Sequence, residues 1–164
     1  AMLRKNGDSE KLKLQVAGYL GKRDQAYFRE ILQRVKRLGL EDIFSYVGEI
    51  DRIAKIDFLN GLDVLCVPTV YQEPKGLFVL EALANGVPVV QPAHGAFPEM
   101  IEATGGGIVV EPNAPPAIAE GLRSLQQNDD LRQKLGQAGK KAVFQHFTAE
   151  TMAEQTLAVY QKYV

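Results

Sequence analysis

The sequence lacks several features that mark whole classes of protein. It has one cysteine, Cys66, in 164 residues, so it forms no internal disulfide and fits a reducing compartment. No apolar run approaches the ~20 residues that a membrane-spanning helix needs, and no signal peptide opens the chain. The formal net charge of −1 gives no global signal for nucleic acid or for an anionic membrane. These absences predict a cytoplasmic protein with no membrane segment in this chain and no nucleic-acid partner.

The elements that the sequence does contain alternate along the chain. Its 164 residues, 46% hydrophobic and 24% charged, have the size and composition of one soluble globular domain. Strand-like runs, most of them rich in Val, Ile and Leu as in strands covered on both faces, fall at residues 12–19, 43–48, 62–68, 87–91 and 107–110. Helical patterns fall at residues 25–38, 52–59, 76–84, 97–103 and 115–127, then at 130–145 and 149–163. This order predicts an α/β fold, a Rossmann-like doubly wound parallel sheet with two C-terminal helices, in a single domain over residues 1–164.

The beginning of the chain is typical of an excised fragment. Ala1 before Met2 is typical of a cloning remnant. Residues 3–7, which finish at Gly7, are typical of the last turn of a helix whose beginning is missing. We therefore expect a longer natural protein.

The segment that begins at Glu73 carries the chemistry of this sequence. Residues 73–76 have the pattern of a loop, and an apolar helix follows with Glu81 in its second turn. A carboxylate is seldom left in an apolar setting without a partner, and side chains lean toward the N-terminus of their helix. Glu81 is therefore expected to lean toward Glu73 and the free N–H groups of the first turn. Because carboxylates accept from hydroxyl groups and helix N-termini receive anions, the pair predicts a nucleotide sugar as ligand.

Other interpretations of the two glutamates stay open at this point. Glu81 could pair with an internal Lys or Arg, and Glu73 could be a solvated loop acid. Two carboxylates could also belong to a glycoside hydrolase. A hydrolase is disfavoured because it needs both acids in an open cleft, whereas Glu81 is predicted on a buried apolar helix.

An ordered series of motifs resembles one enzyme family. Its centre is Glu73-x7-Glu81 followed by Ala82-Leu83-Ala84-Asn85-Gly86-Val87-Pro88-Val89-Val90. Supporting segments extend over nearly the whole chain, namely Phe44-Ser45-Tyr46-Val47-Gly48-Glu49, Leu62-Asp63-Val64-Leu65-Cys66-Val67-Pro68-Thr69, Phe97-Pro98-Glu99, Gly105-Gly106-Gly107 and Tyr160. The series resembles the carboxyl-terminal, donor-binding domain of retaining glycosyltransferases of the two-domain GT-B architecture, and more narrowly their family 4, the glycosyl transferases group 1.

The resemblance implies a role for each matching residue of the central motif. Glu81 would hold the ribose hydroxyls of the nucleotide. Glu73 would contact hydroxyls of the transferred sugar as the catalytic-site residue. The backbone N–H groups of Gly76, Leu77 and Phe78 would receive the sugar-side phosphate at the helix start.

Other positions are implied in the site or depart from the family pattern. Gly48 and Glu49 would lie beside the base of the nucleotide. Lys75 stands where the family has a small residue, so it is either an added phosphate contact or a solvent-facing side chain. His94 replaces part of a glycine-rich segment and could line the sugar pocket or be an ordinary loop histidine.

The resemblance also implies an enzyme that moves a hexosyl unit from a nucleotide-diphosphate sugar to an acceptor hydroxyl in carbohydrate biosynthesis. It implies no metal and no other cofactor, and the two histidines and the lack of an Asp-x-Asp sequence agree. An N-terminal acceptor domain and a first strand–helix unit with diphosphate-clamping Arg and Lys would precede residue 1. This fragment alone should then be inactive, and the longer protein could associate peripherally with a membrane. The alternatives are a non-catalytic nucleotide-binding or regulatory domain of the same fold, or a GT-B phosphorylase or epimerase.

Overall fold

The fold is known from a computed structural model that describes residues 1–3 and 12–163. The predicted helix end over residues 3–7 lies outside the described residues, apart from Leu3. In chain order the elements are β1 (Leu14–Ala17), α1 (Gln25–Arg37), β2 (Phe44–Gly48), α2 (Arg52–Asn60), α3 (Leu77–Ala84), β3 (Val89–Pro92), α4 (Phe97–Thr104), β4 (Gly107–Val110), α5 (Pro115–Gln127), α6 (Asp129–His146) and α7 (Ala149–Tyr160). The predicted α/β alternation is therefore confirmed. All seven predicted helices are found, and all but α7 begin and end within a residue of the expected bounds.

The chain divides into two compact units, Ala1–Ile56 and Asp57–Val164. In the first unit β1 and β2 run parallel, with Leu14 opposite Phe44 and a register shift between Val16 and Ala17. The expectation that the Val- and Leu-rich strands are covered on both faces is wrong for β1, because Leu14 is 52% exposed and Val16 39% exposed. Apolar composition indicates that a strand tends to be buried, but burial also requires another layer of structure to pack on it.

The second unit contains the hydrophobic core. All four residues of β3 are buried, and β3 pairs in parallel with β4, Val89 lying opposite Gly107. Successive side chains of a strand point to opposite faces. Val89 packs with residues of α3 and α4, whereas Val90 faces α5 at Gly121. Helices therefore cover both faces of this parallel pair, as the doubly wound prediction requires.

One predicted strand of the second unit is not formed as expected. In residues 62–68 only Leu65 makes a β-bridge, to Val89. The prediction of a regular strand there is wrong, because the N–H of Val67 bonds to the side chain of Gln91 instead of to a neighbouring main chain. Cys66 lies half-buried in this segment, and burial raises the pKa of its thiol to about 11. It is an inert thiol that fills space, as expected for an unpaired cysteine.

The two last helices are capped by side chains. Asn128 Oδ1 accepts from the N–H of Leu131 at 2.9 Å at the start of α6, and Thr148 Oγ1 accepts from the N–H of Thr151 at 3.2 Å at the start of α7. None of the helices in the described residues is both long and apolar enough to cross a membrane. The cytoplasmic location stays a prediction.

Candidate functional site

The start of α3 is built around Gly76. This residue precedes the helix in the left-handed conformation, with φ +58°, and it is buried. A Cβ there would lie 3.1 Å from both the Met100 sulfur and the Phe97 ring. Glycine is therefore required for its conformation and for the space that α4 leaves. The predicted opening of the helix at this position is confirmed within one residue.

Glu73 is fixed against the same helix start. Its Oε1 accepts from the backbone N–H of Lys75 at 3.1 Å and of Gly76 at 3.0 Å. Its Oε2 accepts from the hydroxyl of Tyr71 at 3.1 Å. The N–H groups of Gly76 and Lys75, followed by the Tyr71 hydroxyl, hold the pKa of Glu73 below its usual value. The same contact raises the pKa of Tyr71. Glu73 is thus an ionised, immobilised carboxylate at physiological pH.

The backbone donors of the helix start differ in availability. The N–H of Gly76 is already used by Glu73, and the N–H of Val79 donates to the carbonyl of Gly76 at 2.8 Å. Leu77 and Phe78 lie in the first turn, where no carbonyl of the helix itself can reach their N–H groups. Among the described residues no other acceptor meets these two groups. Leu77 is also 60% exposed, so the first turn is open to solvent. A helix start of this kind favours an anion.

Glu81 lies one turn further along α3. It is half-buried, and its backbone carbonyl accepts from the side-chain amide of Asn85 at 2.8 Å. The prediction of an apolar helix buried all round is correct for Val79, Ala82 and Leu83 but wrong for the first turn, where Leu77 is exposed. Lys75 is exposed, its backbone N–H is bound by Glu73, and its side chain makes no ion pair within the part of the chain that the structure describes.

A second loop, residues 93–96, packs against the loop that carries Glu73. The N–H of Gly95 donates to Gln72 Oε1 at 2.6 Å, and the N–H of Ala96 donates to the carbonyl of Glu73 at 2.9 Å. The ring Nε2 of His94 lies 3.1 Å from Thr69 Oγ1. A Cβ at Gly95 would come within 2.5 Å of the Glu73 carbonyl oxygen, so the two backbones approach as closely as only glycine allows.

Three contacts of this pair of loops were missed by the sequence analysis. The contacts of Thr69 with His94 and of Gln72 with Gly95 were not predicted, because they join residues distant in sequence that only the fold brings together. Tyr71 lies two residues before Glu73, so its contact is local, but no sequence pattern singled it out. The fully buried Gln91 was missed too. The sequence does mark Gln91, because it is a polar residue that directly follows the apolar run from Val87 to Val90.

The predicted site residues fall into two groups. Six of them lie on one continuous segment of the second unit, namely Glu73, Lys75, Gly76, Leu77, Phe78 and Glu81. The other two belong to the first unit: Gly48, with φ +88°, is the last residue of β2, and Glu49 follows it. The carbonyl of Gly48 accepts from the N–H of Gly18 at 2.9 Å.

No cluster of three or more His, Cys, Asp or Glu side chains suited to a metal ion occurs within residues 1–3 and 12–163.

An open cavity of ≈ 320 Å³ lies at the carboxyl ends of the second unit's strands, with Pro68, Thr69 and Pro92 among its lining residues. Thr69 therefore borders the cavity and also contacts His94.

Comparisons with known proteins agree with this architecture. N-acetyl-alpha-D-glucosaminyl L-malate synthase of Bacillus anthracis is 29% identical over 137 residues, which are 84% of this chain and 35% of that protein. HepE of Anabaena, solved in complex with UDP, superposes with a TM-score of 0.84 at 21% identity over 92% of this chain and 41% of that one. The C-terminal domain of a glycosyl transferase group 1 family protein, LpcC of Francisella tularensis, superposes with a TM-score of 0.79 at 28% identity, covering 90% of this chain and 75% of that one.

The length of the match and the family profile complete the assignment. This chain spans about a third of the first curated relatives that it matches, for example 35% and 33% of their lengths. The profile of the glycosyl transferases group 1 matches residues 1–142. The chain therefore belongs to the glycosyl transferases group 1 family.

Proposed function

We propose that this chain is the nucleotide-sugar donor-binding domain, in the carboxyl-terminal position, of a retaining family 4 hexosyltransferase. One observation carries the proposal. Glu73 is locked at the start of α3 by the backbone N–H groups of Lys75 and Gly76, while the N–H groups of Leu77 and Phe78 beside it stay open. An ordered carboxylate next to open helix N–H groups suits a ligand that carries hydroxyls and a phosphate side by side. The UDP bound by HepE, which has the same fold, supports a ligand of this class.

The geometry refines the role of each donor at the helix start. The phosphate nearer the sugar binds the N–H groups of Leu77 and Phe78, and Gly76 acts through its conformation because Glu73 occupies its N–H. Negative charge is favoured there by the helix dipole, so the diphosphate needs no metal at this end. Lys75, exposed beside Glu73, is the side chain available for a further phosphate contact.

Only one oxygen of the Glu73 carboxylate can still accept a hydrogen bond from the sugar. A carboxylate oxygen accepts about two hydrogen bonds, and Oε1 already accepts two from the main chain. Oε2 accepts one, from Tyr71, so it retains a lone pair for a sugar hydroxyl. Glu81 holds the vicinal hydroxyls of the ribose.

The proposed reaction uses these contacts. The bond between the anomeric carbon and the phosphate oxygen breaks, and a bond to the acceptor oxygen forms on the same face of the sugar, so the anomeric configuration is kept. The departing phosphate oxygen accepts the acceptor's proton while Leu77 and Phe78 N–H groups stabilise its charge. The acceptor is bound by the N-terminal domain of the longer protein, so residues 1–164 alone bind donor and transfer nothing.

Calorimetric titration with UDP, GDP and ADP tests the proposal. We expect one of the three to bind wild-type residues 1–164 and Glu81→Gln to weaken that binding about tenfold, because a charge-assisted acceptor is lost. Glu102→Gln, an exposed glutamate on α4, is the matched control and should bind as wild type does. No binding of any nucleotide at millimolar concentration, or equal loss in the control, contradicts the proposal.

A further inference from the structure

Gln91 is a fully buried polar side chain that the donor site as described does not use. It is 0% exposed at the third position of β3, between Val90 and Pro92. Its Oε1 accepts from the N–H of Val67 at 3.3 Å, and its Nε2 has no hydrogen-bond partner. Burying an amide that is only half satisfied costs more than burying an apolar side chain of the same size. The residue therefore needs a reason other than core packing.

The reason lies in how the pairing of residues 62–68 with β3 stops. The N–H of Leu65 donates to the carbonyl of Pro88, and the N–H of Val90 donates to the carbonyl of Leu65, both at 3.0 Å. In a regular parallel ladder the next bonds would join Val67 N–H to the Val90 carbonyl, and the N–H of residue 92 to the Val67 carbonyl. Neither forms. Residue 92 is a proline without an N–H, and the side chain of Gln91 takes the N–H of Val67. Two neighbouring residues of β3 thus end the ladder together.

The point at which the ladder ends sets the path of the Glu73 loop. Two residues after Val67 the chain reaches Thr69, whose hydroxyl contacts His94. From there it crosses residues 93–96 and makes the bonds of Gln72 to Gly95 and of Glu73 to Ala96. If residues 67 and 68 stayed paired with β3, the Glu73 loop would leave the sheet later in the chain. Its contacts with residues 93–96 would then be displaced along the sequence. The cavity that Pro68, Thr69 and Pro92 help to line lies at this departure point.

We infer that Gln91 is a positioning residue of the donor site: by capping the N–H of Val67 it makes residues 62–68 leave the sheet where the Glu73 loop can dock on residues 93–96. Its consequence for ligand binding rests on the proposed function, whereas its consequence for the loop does not. Gln91 touches no ligand itself, since its side chain is fully buried.

The test compares Gln91→Met with Gln91→Glu by amide NMR and nucleotide titration. Methionine keeps the volume of the side chain and removes the acceptor, whereas glutamate, which burial favours in its protonated form, keeps an acceptor for the N–H of Val67. We expect Gln91→Met to speed hydrogen exchange at Val67 about tenfold or more, to shift the amides of Gly95 and Ala96, and to raise the nucleotide Kd about tenfold. Gln91→Glu should restore the shifts and most of the affinity. Gln127→Met, at the exposed end of α5, is the matched control and should change none of these.

The outcomes separate the two hypotheses. If wild type binds a nucleotide and Gln91→Met binds it equally well with unchanged Gly95 and Ala96 shifts, the inference is overturned while the proposed function stands. If wild type binds no nucleotide, the proposed function fails, and exchange at Val67 together with the shifts of Gly95 and Ala96 still decides the role of Gln91 in the loop. If Gln91→Met does not fold, hydrogen exchange in the wild type decides: a Val67 amide that exchanges as fast as an exposed loop amide overturns the inference, and a protected Val67 amide supports it.

Discussion

At the scale of single residues, the hydrogen bonds of Glu73 bear directly on its charge. Two backbone N–H groups and a tyrosine hydroxyl favour its ionised form. The folded-state pKa therefore lies below the unfolded value of about 4.3. The stabilisation is fully present above the unfolded pKa and is lost as the pH falls through the folded-state pKa.

The first prediction compares wild type with Glu73→Gln by thermal unfolding between pH 7 and pH 3. Glutamine can still accept from Lys75 and Gly76, so the difference isolates the charge. We expect wild type to have the higher Tm at neutral pH and the two curves to converge as the pH falls through the carboxylate range. Glu102→Gln controls for the loss of one negative charge. A constant difference at all pH values would contradict the assigned hydrogen bonds.

Cys66 provides the second residue-scale prediction. With its pKa raised to about 11 by burial, only about one thiol in a thousand is ionised at pH 8. We expect a thiol reagent to modify the native chain far more slowly than the chain in denaturant. Rapid modification of the native protein would show that this segment opens and would contradict its placement.

At the scale of elements, the close approach of two loops at Gly95 matters most. Gly95 and Gly39 have nearly the same φ, +60° and +62°, but an added Cβ meets the Glu73 backbone only at Gly95 and meets nothing within 4 Å at Gly39. We expect Gly39→Ala to lower the free energy of unfolding by about 1 kcal/mol, from backbone strain alone. Gly95→Ala should cost at least about 2 kcal/mol more and should weaken nucleotide binding, because the Glu73 loop must move. Equal costs in chemical denaturation would contradict the contact.

Elements also show what the sequence could and could not predict. Helix bounds were predictable because local signals mark them, such as the prolines that open α5 and the left-handed Gly105 that ends α4. Residues 62–68 have the apolar composition of a strand, but a side chain from β3 ends their pairing, and no local pattern reports such a distant contact. The same holds for Thr69 with His94. The grouping of Glu73, Gly76 and Glu81 was predictable because they lie on one short segment, whereas their roles stay predictions.

At the scale of the whole molecule, the two units differ in their cores. Every buried hydrophobic residue among the described residues lies in the second unit, from Leu59 to Val143. The first unit exposes Leu14, Val16 and Leu32. We therefore expect amide hydrogens of β3 to exchange much more slowly than those of β1. Faster exchange in β3 would contradict the description of the core.

A pair of matched substitutions tests the same difference between the two units through the free energy of unfolding. Leu83 is 0% exposed in α3 and Leu32 is 41% exposed in α1. Leu83→Ala should lower the free energy of unfolding by about 2–5 kcal/mol through loss of burial and the cavity left behind. Leu32→Ala should cost less than about 1 kcal/mol. Denaturant unfolding of both variants gives the comparison, and similar costs would contradict it.

The measurement that tests the central claim most directly is an amide NMR titration of residues 1–164 with the diphosphate that binds and with its nucleoside. The account predicts that the diphosphate produces its largest shifts at the N–H groups of Leu77 and Phe78, and that the nucleoside, which lacks the phosphates, leaves these two unchanged. Diphosphate binding that leaves both amides unmoved, or that moves them no more than the nucleoside does, would contradict a phosphate site at the start of α3.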